Sequence, residues 1–124
     1  MPTEPTPVAL NYSAAFLRQL KRLRKKYRHI QSDLQPLLDE LQSGATPGDR
    51  VQGIGYSYTV HKVRLPNSDA QRGTSGGYRV IYYVQTASGR LLVTIYSKAD
   101  QSDIPDDDIR RIIEEEIGEE EIGG

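Results

Sequence analysis

Residues 78–96 read Tyr-Arg-Val-Ile-Tyr-Tyr-Val-Gln-Thr-Ala-Ser-Gly-Arg-Leu-Leu-Val-Thr-Ile-Tyr and predict the centre of the fold. Tyr78–Thr86 is rich in β-branched and aromatic residues and is apolar on both faces, as expected of a strand inside a sheet. Ala87-Ser88-Gly89 has the composition of a hairpin connection and leads into a second strand, Arg90–Tyr96. The stretch therefore predicts two adjacent antiparallel strands.

Two further strands are predicted upstream of this hairpin. Tyr58–Leu65 alternates in polarity and would complete an antiparallel meander with the hairpin. The polar, glycine-rich residues 66–77 separate the two. A short strand is also predicted at Val8–Tyr12.

The region between these two strands predicts a pair of helices. Ser13 suits the N-cap of the first helix, because its hydroxyl can accept from an otherwise unpaired amide of the first turn. Apolar residues then recur at helical spacing on one face: Phe16, Leu20, Leu23, Tyr27 and Ile30.

The start of the second helix is predicted at Ser32, because Ser32 and Gln35 have the spacing of a capping box. Pro36 would then fall in the first turn, where its missing amide proton costs little. Gly44 ends the helix, and Pro105 begins a final helix with isoleucines on one face.

The predicted element order is β-α-α-β-β-β-α. This order indicates an α+β fold in which an N-terminal helical hairpin packs on a small antiparallel sheet, followed by a C-terminal helix. We expect a single domain over residues 8–117, a loose leader at 1–7 and an acidic tail at 118–124.

Composition limits the classes of function. The chain has no cysteine, which excludes disulfides and thiolate metal sites, and no His/Asp/Glu cluster has metal-ligand spacing before the acidic tail. No cofactor is expected. The sequence has neither an apolar stretch long enough for a membrane span nor a signal peptide's apolar centre, so we expect a cytoplasmic protein without a membrane partner.

Charge is distributed very unevenly along the chain. Residues 1–100 hold 14 Lys/Arg and 7 Asp/Glu, a net +7, whereas residues 101–124 hold 2 Arg and 10 Asp/Glu, a net −8. A basic body indicates an anionic partner such as RNA. The acidic end is either a solubilising tail or a segment that folds back over a basic cleft.

Four segments in this order resemble the HigB-like branch of the RelE/ParE toxin superfamily: Lys-Arg-Leu-Arg-Lys-Lys-Tyr (21–27), His-Lys-Val-Arg-Leu (61–65), Ser-Gly-Gly-Tyr-Arg-Val-Ile-Tyr-Tyr (75–83) and Ile-Tyr-Ser-Lys-Ala-Asp-Gln (95–101). The resemblance spans about Val8 to Ile113. It implies a RelE-like microbial RNase fold, cutting of mRNA in the ribosomal A site, and a cognate antitoxin. RelE-type enzymes often carry an arginine and a tyrosine after the last strand, where this chain has Lys98, Ala99 and Ile104.

The predicted catalytic residues are Lys62, Arg64, Arg79 and Lys98. Metal-free RNA cleavage requires removal of a 2′-hydroxyl proton, stabilisation of charge at the phosphate and protonation of the leaving 5′-oxygen. Lys62 and Arg64 share one strand face, which either binds RNA or is merely solvated. Arg79 interrupts an apolar run, which favours a phosphate clamp or an ion pair with Asp or Glu. Lys98 is a candidate for phosphate contact or proton transfer. Lys62 is a candidate general base, provided that neighbouring cations favour its neutral form.

The predicted RNA-binding residues lie outside this group as well. The first helix carries a basic stripe that suits ribosomal RNA, although such stripes are often only solvated faces. The chain has eight tyrosines, some of which can stack on bases while others belong to the core. His61 is predicted to lie on the face of Val63, away from Lys62. The expected set is Arg18, Lys21, Arg22, Lys25, Arg72, Tyr82 and Tyr96. The glycine-rich loop that follows Arg72 lacks the ending of a nucleotide-binding loop.

The leading functional hypothesis is a metal-independent mRNA interferase, the toxin of a type II toxin–antitoxin system. Its expected partners are a cognate antitoxin protein, mRNA on the ribosome and ribosomal RNA. One alternative is a ParE-like toxin directed at DNA gyrase, which would not require a cationic cluster around one phosphate. The other is a catalytically inactive module that binds antitoxin or nucleic acid.

Overall fold

The computed structural model describes residues 8–52, 58–69, 77–101 and 103–123. Within these ranges the chain forms eight elements in the order β1 (Ala9–Tyr12), α1 (Ala14–Lys26), α2 (Ile30–Gln42), β2 (Asp49–Arg50), β3 (Val60–Leu65), β4 (Tyr78–Thr86), β5 (Gly89–Ser97) and α3 (Asp106–Gly123). The α+β class and the predicted element order are confirmed, with the two-residue β2 added.

The strands form one sheet in the order β1-β5-β4-β3-β2. The predicted meander of β3, β4 and β5 is antiparallel, as expected. The prediction of a wholly antiparallel sheet is wrong, because β1 pairs with β5 in parallel. In sequence, helices α1 and α2 connect β1 to β2. These two strands lie at opposite edges of the sheet, with the meander between them.

Each face of the sheet is covered by helices. The faces of α1 and α2 that carry Phe16, Leu20 and Leu34 pack with Tyr82 and Leu92 of the sheet. On the opposite face, α3 packs its isoleucines against the sheet, and the buried residues there are Val60, Ile81, Tyr83, Leu91, Val93, Tyr96, Ile109, Ile112 and Ile113. Both faces of the central strands are therefore buried, which explains their nearly continuous apolar sequence.

The predicted N-cap of α1 is confirmed. Ser13 Oγ accepts a hydrogen bond from the amide of Phe16 at 2.9 Å. The same hydroxyl donates to the carbonyl of Val93, so Ser13 joins the start of α1 to β5.

The predicted start of α2 at Ser32 is wrong. The helix begins at Ile30, which is fully buried, with His29 at the N-cap position and no side-chain capping bond. Burial of Ile30 in the core outweighs the local capping preference of Ser32. Pro36 consequently lies beyond the first turn, and Gly44 follows the helix with φ of 98°, as expected of a C-terminal glycine.

Helix α3 runs from Asp106 through Gly123, so its backbone is helical into the acidic segment beyond residue 117. Glu116 accepts a hydrogen bond from the amide of Ala14 at 2.9 Å and thereby connects α3 to the first turn of α1. Among the described residues, no helix is long and apolar enough to cross a membrane.

Candidate functional site

The candidate site lies on the face of the sheet that α3 partly covers. Alternation along β3 places Lys62 and Arg64 on the same face as Val60, which packs with the residues of α3. In the antiparallel register Arg64 is opposite Arg79 of β4, and Arg79 is opposite Tyr96 of β5. Three neighbouring strands therefore contribute one row of polar side chains.

This row forms the wall of a cleft of about 350 Å³, which is called the basic cleft below. Its lining residues are Asp49, Arg50, Val51, Lys62, Arg64, Arg79, Tyr96, Lys98 and Asp103. All four predicted catalytic residues thus lie around one cavity, although they come from β3, β4 and the turn after β5.

Arg79 forms the buried end of the basic cleft. Only 5% of the residue is exposed, and its Nη1 donates to the carbonyl of Tyr78 at 3.2 Å. A guanidinium keeps its charge when it is desolvated. Burial at the base of a cleft therefore gives a permanent positive charge in surroundings less polar than water, where it attracts an anion more strongly.

Asp103 introduces a carboxylate into the basic cleft. Its Oδ1 accepts from Lys62 Nζ at 3.1 Å, from the hydroxyl of Tyr96 at 3.1 Å and from the amide of Ile104 at 2.8 Å. The hydrogen bond from the Ile104 amide, followed by that from Lys62, lowers the pKa of Asp103 below its usual value. Burial, together with the charge of Asp103, raises the pKa of Tyr96 to about 12. Tyr96 therefore stays protonated at neutral pH.

The ion pair bears on the role predicted for Lys62. The Asp103 carboxylate occupies the Lys62 ammonium at 3.1 Å, so one of its three donors is already engaged within the basic cleft.

Asp49, Arg50 and Asp103 line the basic cleft but were not predicted from the sequence. Asp49 and Arg50 form β2, whose register places Asp49 opposite Lys62. This close pairing depends on Gly48, which has φ of 92° and whose added Cβ would lie only 2.4 Å from the carbonyl oxygen of Lys62. The Pro-Gly-Asp-Arg sequence at residues 47–50 was the available signal, since it places a turn before a charged pair.

The basic stripe of α1 lies apart from the basic cleft. Arg18, Lys21, Arg22 and Lys25 are all exposed. Arg18 and Arg22 line a second groove, of about 370 Å³, together with Arg111 and Asp108 of α3. None of these cations is among the residues that line the basic cleft.

Tyr82 was predicted to bind RNA, and the structure contradicts this. Tyr82 is fully buried on the sheet face covered by α1 and α2, where its hydroxyl donates to the carbonyl of Pro47 at 2.5 Å. A buried ring has no free face on which a base can stack. Tyr96 does line the basic cleft, but only 3% of the residue is exposed, so its hydroxyl rather than its ring is the accessible chemistry.

Both histidines of the chain have side-chain contacts outside the lining of the basic cleft. His61 lies on the face of Tyr82, as its parity predicted, and its ring stacks on Tyr82 with centroids 5.4 Å apart. His29 pairs with Asp69 through its Nδ1 at 2.7 Å. Arg72 and most of the glycine-rich loop lie outside the described residues.

The acidic C-terminal region was proposed to fold over the basic cleft. Within the described part of α3, Glu116 contacts the amide of Ala14 instead, and no α3 side chain lines the basic cleft. Among the residues that the structure describes, the acids lining the basic cleft are Asp49 and Asp103, which precede α3. Among the described residues, no group of three or more His, Asp or Glu is placed to hold a metal ion.

Comparison of the chain with protein-family models and with curated proteins gave no match.

Proposed function

We propose that this protein is a metal-independent endoribonuclease of the RelE/HigB type, which cuts mRNA on the ribosome and is inhibited by a cognate antitoxin. The observation that carries the proposal is the basic cleft. Five cationic side chains of the described residues converge on it, from β2, β3, β4 and the turn after β5: Arg50, Lys62, Arg64, Arg79 and Lys98.

Among the described residues that line the basic cleft, these five cations stand beside two acids, Asp49 and Asp103, so the lining has a net positive charge. Like charges gathered on one sheet face repel each other, and Arg64 and Arg79 are direct cross-strand partners, a destabilising arrangement in itself. A phosphate in the cleft would relieve this repulsion. The cluster supports the proposal that the substrate is anionic. It argues against a gyrase-directed protein, because binding gyrase would not require cations to converge on one cleft.

The arrangement fits the charge changes of RNA cleavage. Attack of the ribose 2′-oxygen on the adjacent phosphorus, with loss of its proton to solvent water, forms a new P–O bond and breaks the bond to the 5′-oxygen. The products are a 2′,3′-cyclic phosphate and a 5′-hydroxyl. Arg79 and Arg64 are suited to bind the phosphate oxygens as negative charge accumulates in the transition state. Lys62, whose ammonium is held by Asp103, is suited to donate a proton to the leaving 5′-oxygen.

This chain departs from the RelE-type enzymes that it resembles, which often carry a tyrosine after the last strand, where this chain has Ile104. Tyr96, one residue before the end of β5, places its hydroxyl at Asp103 on the wall of the basic cleft. We propose that Tyr96, whose single O–H donates to Asp103, helps to hold that carboxylate beside Lys62. The exposed stripe of α1 is proposed to contact ribosomal RNA through Arg18, Lys21, Arg22 and Lys25.

The test is cleavage of a defined mRNA with and without programmed ribosomes. We expect wild type to cut only with ribosomes and Arg79→Ala to lose at least about a hundredfold in rate, because a buried phosphate ligand is removed. Arg110→Ala is the matched control: Arg110 lies on α3, pairs with Asp107 and does not line the basic cleft. Its rate should equal that of wild type.

Two results would contradict the proposal. Equal loss in Arg79→Ala and Arg110→Ala would show a general effect on the fold rather than a role of the cleft. Failure of wild type to cut under any condition would favour the gyrase-directed or inactive binding protein, which gyrase inhibition and antitoxin capture would then separate.

A further inference from the structure

We infer that Asp103 is a positioning residue of this site. Its carboxylate accepts from the Lys62 ammonium and the Tyr96 hydroxyl and holds both groups at the wall of the basic cleft. The inference rests on the proposed function for its catalytic consequence. The contacts themselves can be tested without it.

The geometry is that of a shared acceptor. Lys62 comes from β3 and Tyr96 from β5, yet both donate to Oδ1 of Asp103, which lies in the segment before α3. The amide of Ile104 binds the same oxygen at 2.8 Å, the shortest of these contacts. The carboxylate is thereby fixed by its own backbone and then orients two side chains from separate strands.

A role as general base does not fit Asp103. The Ile104 amide and Lys62 lower the pKa of this carboxyl, and a weaker base accepts a 2′-hydroxyl proton less readily. Its contacts are instead those of a group that stays charged and holds donors in place.

Positioning matters most for Lys62. A lysine side chain has four rotatable carbon–carbon bonds, and fixing it costs side-chain entropy. Because the ion pair with Asp103 already orders the Lys62 side chain, part of this entropy is lost before substrate binds. An ammonium has three donors, so Lys62 can contact Asp103 and still donate to a substrate oxygen.

The loop that contains Asp103 also provides a matched control. Asp100 precedes it by three residues and forms an ion pair of the same length, 3.1 Å, with Lys26 of α1. Hydrogen bonding to Asp100 raises the pKa of Lys26. Asp100→Asn therefore removes one carboxylate and one lysine ion pair from the same loop without altering the lining of the basic cleft.

The first experiment measures how fast each lysine reacts with an amine-acylating reagent at fixed pH, read by peptide mass spectrometry. A lysine amine held in an ion pair is less available to the reagent, so loss of its carboxylate partner speeds acylation. Because these ion pairs are partly exposed, we expect an increase of about threefold at Lys62 in Asp103→Asn, with Lys26 unchanged. Asp100→Asn should show the reverse pattern. Asp103→Glu should keep Lys62 acylation slow, because the charge is retained.

Lys26 also reports on folding within the same sample. If Lys62 and Lys26 both accelerate in Asp103→Asn, the variant is unfolded, and the comparison then rests on Asp103→Glu and on Tyr96→Phe, which removes the other donor. Unchanged Lys62 acylation in a folded Asp103→Asn protein would overturn the inference.

Cleavage assays add the catalytic consequence. Asp103→Asn should lower kcat about tenfold or more with little change in KM, because donor placement in the transition state is lost rather than substrate affinity. Asp100→Asn should retain wild-type values. If wild type cuts no RNA, the proposed function fails while the acylation result still decides whether Asp103 positions Lys62. If cleavage occurs and Asp103→Asn cuts normally, the inference fails and the proposed function stands.

Discussion

At the scale of single residues, two tyrosines with similar sequence surroundings have opposite roles. Tyr82 is enclosed between the sheet and the helices, and its hydroxyl bonds the carbonyl of Pro47. Tyr96 faces the other side of the sheet, and its hydroxyl bonds Asp103 at the basic cleft. Burial is nearly complete for both, so the hydroxyl partner rather than exposure distinguishes them.

Paired phenylalanine variants test this difference. Tyr82→Phe should lose about 1 kcal/mol of unfolding free energy, the usual value of one hydrogen bond, and keep wild-type cleavage. Tyr96→Phe should lower the cleavage rate by more than its effect on stability explains. Urea unfolding and single-turnover cleavage measure the two quantities. Reduced cleavage in Tyr82→Phe with unchanged Tyr96→Phe would contradict the assignment.

At the scale of elements, the shortest strand has a large effect on the basic cleft. β2 has two residues, and its pairing with β3 brings Asp49 and Arg50 to the cavity. The turn before it approaches β3 so closely that only a glycine fits at position 48. Gly44, at the end of α2, has a similar φ of 98° but no atom within 4 Å of an added Cβ.

These two glycines allow strain and steric clash to be separated. Gly44→Ala should cost about 1 kcal/mol through its left-handed backbone alone. Gly48→Ala should cost more, about 2–4 kcal/mol, because the new methyl meets the carbonyl of Lys62 and displaces β2. Thermal unfolding gives the stability change, and RNA binding should weaken only in Gly48→Ala. Equal effects of the two substitutions would contradict the proposed clash.

Asp69 provides a second element-scale contact, between the segment after β3 and the turn that joins α1 to α2. Its carboxylate accepts from both the amide and Nδ1 of His29 at 2.7 Å. The His29 amide bond, followed by the ring contact, lowers the pKa of Asp69. A carboxyl with a lowered pKa in the folded state adds stability above its usual pKa of about 4, and this stability is lost as pH falls through the lower folded value.

Asp69→Asn should therefore reduce Tm at pH 7 and have little effect near pH 2. The measurement is Tm against pH for wild type and variant, with Asp107→Asn, an exposed acid on α3, as the control. If the difference in Tm between Asp69→Asn and wild type were the same at every pH tested, the Asp69 carboxylate would not stabilise the fold through its charge.

At the scale of the whole molecule, opposite charges are separated along the chain. The net charge of −1 conceals a basic cleft and a basic α1, with acids gathered on α3. Overall charge therefore says little about RNA affinity, which depends on the local clusters.

RNA binding should consequently depend strongly on salt. Each phosphate contact with single-stranded RNA contributes about 0.7 to the slope of log K against log salt, so Arg18→Ala with Arg22→Ala should reduce the slope by about 1.4. Titrations of fluorescently labelled protein with programmed ribosomes at several salt concentrations give this slope. The control is the pair Arg110→Ala and Asp107→Ala, which leaves net charge unaltered, and its slope should match wild type.

The sequence by itself determined those features that depend on neighbouring residues. Periodicity of two placed Lys62 with Arg64 on one strand face, and periodicity near 3.6 identified the buried side of α1. The hairpin of β4 and β5 followed from a turn sequence between two apolar runs. Ser13 was identified as an N-cap because capping involves residues only three positions apart.

Only the tertiary structure decided what distant segments bring together. Asp103, from the segment before α3, and Arg50, from β2, both line the basic cleft. No local sequence pattern predicts that these distant segments meet there. The two sheet faces look alike in sequence because both are covered, so the position of Tyr82 beneath α1 and α2 could not be read from alternation. Ile30 likewise began α2 early because core burial outweighs a local capping signal. Local sequence determines which groups share a face, whereas packing determines what each face meets.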